Sequence, residues 1–108
     1  MQIPTPGPED PKTRGPFYLN RAWLEHREGR WWLWVEGSLP TPCHQARVQV
    51  QPGPEGLQVE VFTVRDPNAI CIQVLKPFTG YVDLTPWAAK HPGLPVVVNG
   101  QEVGRLGD

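Results

Sequence analysis

Proline and glycine set the tightest limit on what this chain can fold into. Together they fill 25 of its 108 positions, 14 as proline and 11 as glycine. Proline fixes its own backbone, removes a donor and restricts the residue before it, so helices of ordinary length do not fit between breakers this close. Short strands joined by tight turns do. Leucine, isoleucine, valine and phenylalanine still make up a quarter of the chain. That is enough for a hydrophobic core, and it argues against disorder. The length supports one domain and excludes a repeat array or a multidomain enzyme.

Charge narrows the function classes. Ten basic and 11 acidic residues are interspersed for a net charge of −1. No run of Lys or Arg marks a nucleic-acid or polybasic membrane-surface face, and no apolar stretch approaches the length of a membrane span. Arg- and Pro-rich, Ser-poor usage fits a thermophile or a GC-rich genome. Residues 1–16 hold five of the prolines and no apolar run. They read as a Pro-rich extended tether ahead of a single domain over residues 17–108, neither signal peptide nor core element.

The turn signals place the strands. With Glu28-Gly29 as a two-residue turn, Phe17–Glu25 and Trp31–Gly37 form a hairpin that pairs Leu24 with Leu33 and Ala22 with Val35 on one face. The other face then carries Trp23 opposite Trp34, Glu25 opposite Trp32 and Arg21 opposite Glu36. Gln45–Gln51 and Leu57–Val64 alternate around Pro52–Gly56 as a second hairpin, with Phe62 on the face opposite Leu57, Val59 and Val61. Ile70–Lys76, apolar on both faces, reads as a central strand, followed by a short strand at Tyr81–Leu84. Thr85-Pro86 reads as an N-cap opening a single helical turn near 86–90. Asn99-Gly100 turns a last hairpin. Seven or eight strands at this spacing indicate an all-β fold, an antiparallel β-sandwich of immunoglobulin-like kind or else a small barrel.

Cys43 and Cys71 are the two thiols, and no CxxC motif occurs. An even count in a small β-rich chain favours one structural disulfide, the alternative being two buried free thiols. A disulfide places the protein in a secreted, periplasmic or cell-surface setting.

The run Gly37-x-Leu39-Pro40-x-Pro42-Cys43-His44, then Cys71-x-Gln73-x-x-x-Pro77-Phe78, Val82-x-Leu84 and Val96-Val97-Val98-Asn99-Gly100, resembles a family of small exported bacterial and archaeal β-domains of unknown function. The resemblance spans roughly residues 36–100 and implies an Ig-like fold with its paired cysteines bonded. It does not reach the tryptophan-rich first hairpin.

That hairpin holds the sharpest candidate site. Residues two apart on a strand share a face about 6.6–7 Å apart, so Trp23, Trp32 and Trp34 can form an aromatic platform rimmed by Arg21, Glu25 and Glu36. The competing expectation is structural, with the tryptophans packed on the Pro-rich segment, Trp87 or a second sheet. Self-association through the patch, giving a homodimer, is a third outcome. Cys43-His44 with His26 and His91 makes no metal site, because adjacent strand residues point to opposite faces; a disulfide and solvated histidines are expected instead. Ser38, the single serine, lacks a nucleophile-elbow motif. Asp66 and Asp83 show no spacing that marks a catalytic pair, and no phosphate-cradling loop occurs. The expectation is therefore a binding module without cofactor or catalytic residues, recognising a protein or envelope component. The alternatives are carbohydrate binding through the tryptophans and a proteinase-inhibitor-like domain using loops 38–44 and 85–93.

Overall fold

The computed structural model describes residues 1–11 and 13–107. Among them the chain forms β1 (Thr13–Pro16), β2 (Tyr18–Arg27), β3 (Arg30–Leu39), β4 (Gln45–Gly53), β5 (Gly56–Arg65), β6 (Lys76–Asp83), α1 (Thr85–Lys90), β7 (Pro95–Val98) and β8 (Gln101–Arg105). The strands divide into a three-stranded sheet, β2-β3-β6, and a five-stranded sheet built on β5. Along one edge of β5 runs β4. The other edge is shared by β1, at Phe62–Arg65, and by β7, at Leu57–Val59. Every ladder is antiparallel except β5–β7, which is parallel.

Alternation explains the two layers. Leu33 and Val35 of β3 and Val82 of β6 point inward from one sheet; Val48, Val59, Val61, Val96 and Val98 meet them from the other, all 7% exposed or less. Leu84 and Leu106, fully buried, belong to the same core. Each such side chain contributes roughly 1.5–3 kcal/mol through burial. This is the expected β-sandwich.

Three expectations fail in part, each for a tertiary reason. Residues 1–16 are not a free tether. Ile3 lies in the core at 2% exposure, and Met1 and Ile3 bond the backbone of Tyr81 along the outer edge of β6. Pro4 O accepts from Val48 N–H, Asp10 chelates the Arg47 guanidinium at 3.0 and 3.1 Å, and Thr13–Pro16 adds β1 to β5. Phe62, on the outer face of β5, is buried because Arg14 lies over its ring at 3.7 Å.

Ile70–Lys76 is not a central strand. Lys76–Asp83 takes the position beside β3 instead, entering through Pro77, whose missing N–H is tolerated at a sheet edge. Residues 69–75 are the crossover from one sheet to the other, outside both ladders. Finally, the helix starts one residue early. Leu84 is its N-cap, while Thr85 Oγ1 accepts from Trp31 N–H at 2.9 Å and ties α1 to β3.

Candidate functional site

The β2–β3 turn decides what the outer face of the three-stranded sheet displays. Glu28 and Gly29 both take positive φ, 54° and 77°, the conformation of a two-residue turn whose twist matches its strands. The resulting register is the expected one: Leu24 opposite Leu33 and Ala22 opposite Val35 face the core side. Trp23 opposite Trp34, Glu25 opposite Trp32 and Arg21 opposite Glu36 face away. A bulge between Leu19 and Arg21 breaks the ladder at Asn20. β6 then extends the outer face, setting Tyr81 beside Trp34 and Asp83 beside Trp32.

Trp23 and Trp34 pack on each other and Trp32 packs on Tyr81, on the face turned away from the second sheet. Trp23 and Trp34 lie near parallel, 15° apart with centroids at 6.4 Å. Tyr81 sits 5.3 Å from Trp34 and meets Trp32 edge-on at 5.4 Å. Arginines close both ends of this ladder: Arg21 lies over Trp23 at 4.7 Å and Arg30 over Trp32 at 5.4 Å. All three tryptophans stay half-buried. Among the described residues Trp34 Nε1 is a buried donor without an acceptor, a cost the ring stacking has to offset.

Ion pairs fix the rim. Arg30 pairs with Asp83, Arg21 with Glu36 at 3.4 Å, and Arg27 with Glu25 at 2.7 Å. The arginine partners are largely exposed, so such pairs orient groups more than they stabilise the fold. Burial pushes the Asp83 carboxyl up, but hydrogen bonds from Thr85 and Arg30 and the Arg30 charge outweigh it and hold the carboxyl below the usual range. Asp83 is therefore a fixed anion beside the aromatics. Between the hairpin tip and Trp32, Trp34 and Tyr81 runs an open groove of about 320 Å³. A groove of similar size on the opposite sheet is lined by Gln49, Gln51, Gln58, Glu60 and Asn99 and has no aromatic wall.

Sequence reasoning missed Arg30, Tyr81 and Asp83. Tyr81 and Asp83 are two apart on a strand, which was visible; what was not visible is that their strand lies next to β3.

Cys43 and Cys71 are bonded, with Cα atoms 6.0 Å apart. The three histidines stay apart. His26 stacks on Trp31 at 4.4 Å and His91 on Trp87 at 6.2 Å. His44, expected to be solvated, is buried at 9% exposure, with Nδ1 2.8 Å from Thr41 Oγ1. Among the described residues no group of three or more His, Cys, Asp or Glu is arranged to hold a metal.

A two-layer β-sandwich with one disulfide, a short helix and an aromatic outer face defines the class of domain. Residues 33–105, about two thirds of the chain, match the ORF11 beta-sandwich domain. The chain belongs to that family. The matched region holds Trp34, Tyr81, Asp83 and both cysteines, whereas Arg21, Trp23, Glu25, Arg30 and Trp32 precede it. No curated protein and no solved structure matches the chain.

Proposed function

We propose that this domain is a non-catalytic recognition module of an oxidising compartment, exported or at the cell surface, that binds a protein or protein-bearing envelope component through the outer face of β2-β3-β6. One observation carries this reading: three tryptophans and a tyrosine, interleaved with arginines and rimmed by carboxylates, occupy one half-exposed sheet face. Trp, Tyr and Arg are the residue types that dominate binding energy at protein interfaces. The disulfide supports the compartment, because such bonds persist where thiols are not kept reduced.

Carbohydrate binding is the rival on the same face. A sugar ring stacks on an open aromatic face, and here Arg21 and Arg30 cover the faces of Trp23 and Trp32. That geometry favours a protein partner, whose carboxylates can engage the guanidinium groups in place.

The test uses immobilised domain with fractionated envelope proteins and, separately, purified polysaccharides. The expected result is saturable binding to a protein fraction that Trp32→Ala weakens at least tenfold and Gln51→Ala, on the opposite sheet, leaves unchanged. Tryptophan quenching by a polysaccharide at comparable affinity would replace this reading with the carbohydrate one.

A further inference from the structure

Each sheet ends on a strand with one ladder partner, β6 on β3 and β4 on β5, and the N-terminal segment bridges these two edges. Tyr81 N–H donates to Met1 O and Ile3 N–H to Tyr81 O, both at 2.9 Å; Val48 N–H donates to Pro4 O at 3.0 Å. Ile3 is the one buried residue of the first nine. Its side chain enters the core over Gly80, where an added Cβ would come within 2.8 Å of it. Gly80 is not among the positive-φ glycines, so glycine there supplies room rather than backbone freedom. Pro4 turns its carbonyl to Val48 and, having no N–H, leaves no donor unmatched at the crossing. The hold is local. Among the described residues, 5–9 bond only within the Gly7–Asp10 turn, and Pro4, Pro6 and Pro8 bar that span from a ladder. The next anchor is Asp10 on Arg47. Residues 1–9 can therefore swing out about Asp10 while β1 stays in place, as weakly held elements do. Their departure opens the Tyr81 N–H and C=O, the Val48 N–H and the space over Gly80 together. Free ladder groups beside a side-chain pocket are what strand addition uses.

We propose that the cleft between Tyr81 and Val48 is a strand-acceptor site for a partner protein. Residues 1–4 fill it in cis, and an extended partner segment reading aromatic, branched aliphatic, proline displaces them. The chain's own occupant fixes the last two positions, as Ile3 over Gly80 and Pro4 at Val48. Register fixes the first. Gln2 pairs with Tyr81 in parallel, and paired residues share a sheet face. Position 2 therefore falls on the outer face beside Tyr81, whose ring centroid is 5.3 Å from that of Trp34. Gln2 does not extend that row of rings, whereas an aromatic side chain in its place does. A cis occupant competes at an effective concentration on the order of millimolar, so a partner has to offer more than Gln-Ile-Pro. The aromatic residue supplies the difference. This first position alone rests on the reading of the outer face as a recognition surface. The cleft is continuous with that face through Tyr81, so one partner can engage edge and face together.

The experiment titrates a fluorescently labelled peptide of residues 1–11 into the full chain and reads anisotropy, with unfolding midpoints as a fold check. Ile3→Asp in the protein expels the chain's own segment, so this variant is expected to bind the peptide saturably and the wild type at least tenfold more weakly. The peptide carrying Ile3→Asp does not bind, and the peptide carrying Gln2→Trp binds at least fivefold more tightly. Should Ile3→Asp fold poorly, a protease site inserted at Gly7, which lies in open space, lets the wild-type segment be cut after folding. The cut piece is then expected to exchange with labelled peptide. Absence of both binding and exchange overturns the proposal, as does binding indifferent to Ile3→Asp in the peptide. An unimproved Gln2→Trp peptide overturns the aromatic position. Failure to retain any envelope protein leaves the peptide result standing and removes only the outer-face reading. A dimer formed by exchanging residues 1–4 between copies, seen by sedimentation and lost in Ile3→Asp, overturns the partner in favour of a second copy.

Discussion

At the scale of single residues, His44 and Gly37 show how little freedom the packing leaves. His44 is buried between the turn at Thr41 and β1, where an added Cβ on Gly15 would come 3.4 Å from its Nε2. Burial lowers its pKa, the Arg65 charge adds to this, and the hydrogen bond with Thr41 partly opposes it. The folded protein therefore prefers neutral His44, while the unfolded chain binds a proton near the ordinary value of about 6.5. Its contribution is complete above that value and is lost as pH falls from about 7 through 6.5 toward the lower folded value. The unfolding midpoint is expected to drop between pH 7 and pH 5, and His44→Gln should flatten that part of the curve. Parallel curves for the two proteins would contradict the assignment. Asp10 and Asp83, both lowered in the fold, act only at more acidic pH, so the windows separate. Gly37 presents a steric case: a Cβ there runs into the carbonyl of Tyr18 and comes within 2.7 Å of the Phe17 ring. Gly37→Ala is expected to cost about 1–3 kcal/mol in a denaturant titration, as overpacking does.

Between residues and the whole lie the connecting pieces, and two of them do more than connect. Residues 1–11 form a strap: Ile3 fills the core, Pro4 bonds Val48, and Asp10 holds Arg47. Ile3→Ala should destabilise the protein by about 2–5 kcal/mol, the range for emptying a buried isoleucine site, and should open Pro4–Pro11 to proteolysis; no change would return this segment to a tether. The second piece is the Cys43–Cys71 bond, with a sequence separation of 28. It spans the whole β4–β5 hairpin and ties the crossover to the end of the β3–β4 connection. Restricting an unfolded loop of that size is worth roughly 3.6 kcal/mol in the chain-entropy treatment. Native protein treated with a thiol-alkylating reagent without reductant is expected to gain no mass, and the Cys43→Ser/Cys71→Ser variant to lose about 3 kcal/mol. Two labels per chain would remove the argument for an oxidising compartment.

For the molecule as a whole, local signals were legible and partner choice was not. Glu28-Gly29 and Asn99-Gly100 marked two hairpins, and alternation supplied the Trp23–Trp34 and Leu24–Leu33 pairs, because a tight turn dictates register over the residues it joins. The edge of β3 offered no such guide. Ile70–Lys76 and Tyr81–Leu84 both read as strands, but a single strand, Lys76–Asp83, occupies that edge, and it brings Phe78 and Val82 inward with Tyr81 outward. The aromatic face was thus visible for its two-stranded half and hidden for the third strand. The N-terminal strap was hidden for the same reason: nothing near Ile3 announces the space over Gly80, where an added Cβ would meet the Ile3 side chain at 2.8 Å. Because strap, sandwich and aromatic face share one core, they should melt together. Far-UV circular dichroism reports the strands, and tryptophan emission reports the outer face together with Trp31 and Trp87; both are expected to follow one transition, with an enthalpy near 0.7 kcal/mol per residue. Emission shifting ahead of the dichroism would instead show that the β2–β3 hairpin opens alone. The interlocking of β3 between β2 and β6, with the Trp31 backbone tied to Thr85 and Leu84, argues against that order: freeing the aromatic ladder requires β6 to leave, and β6 carries Val82 and the Ile3 contact out of the core with it.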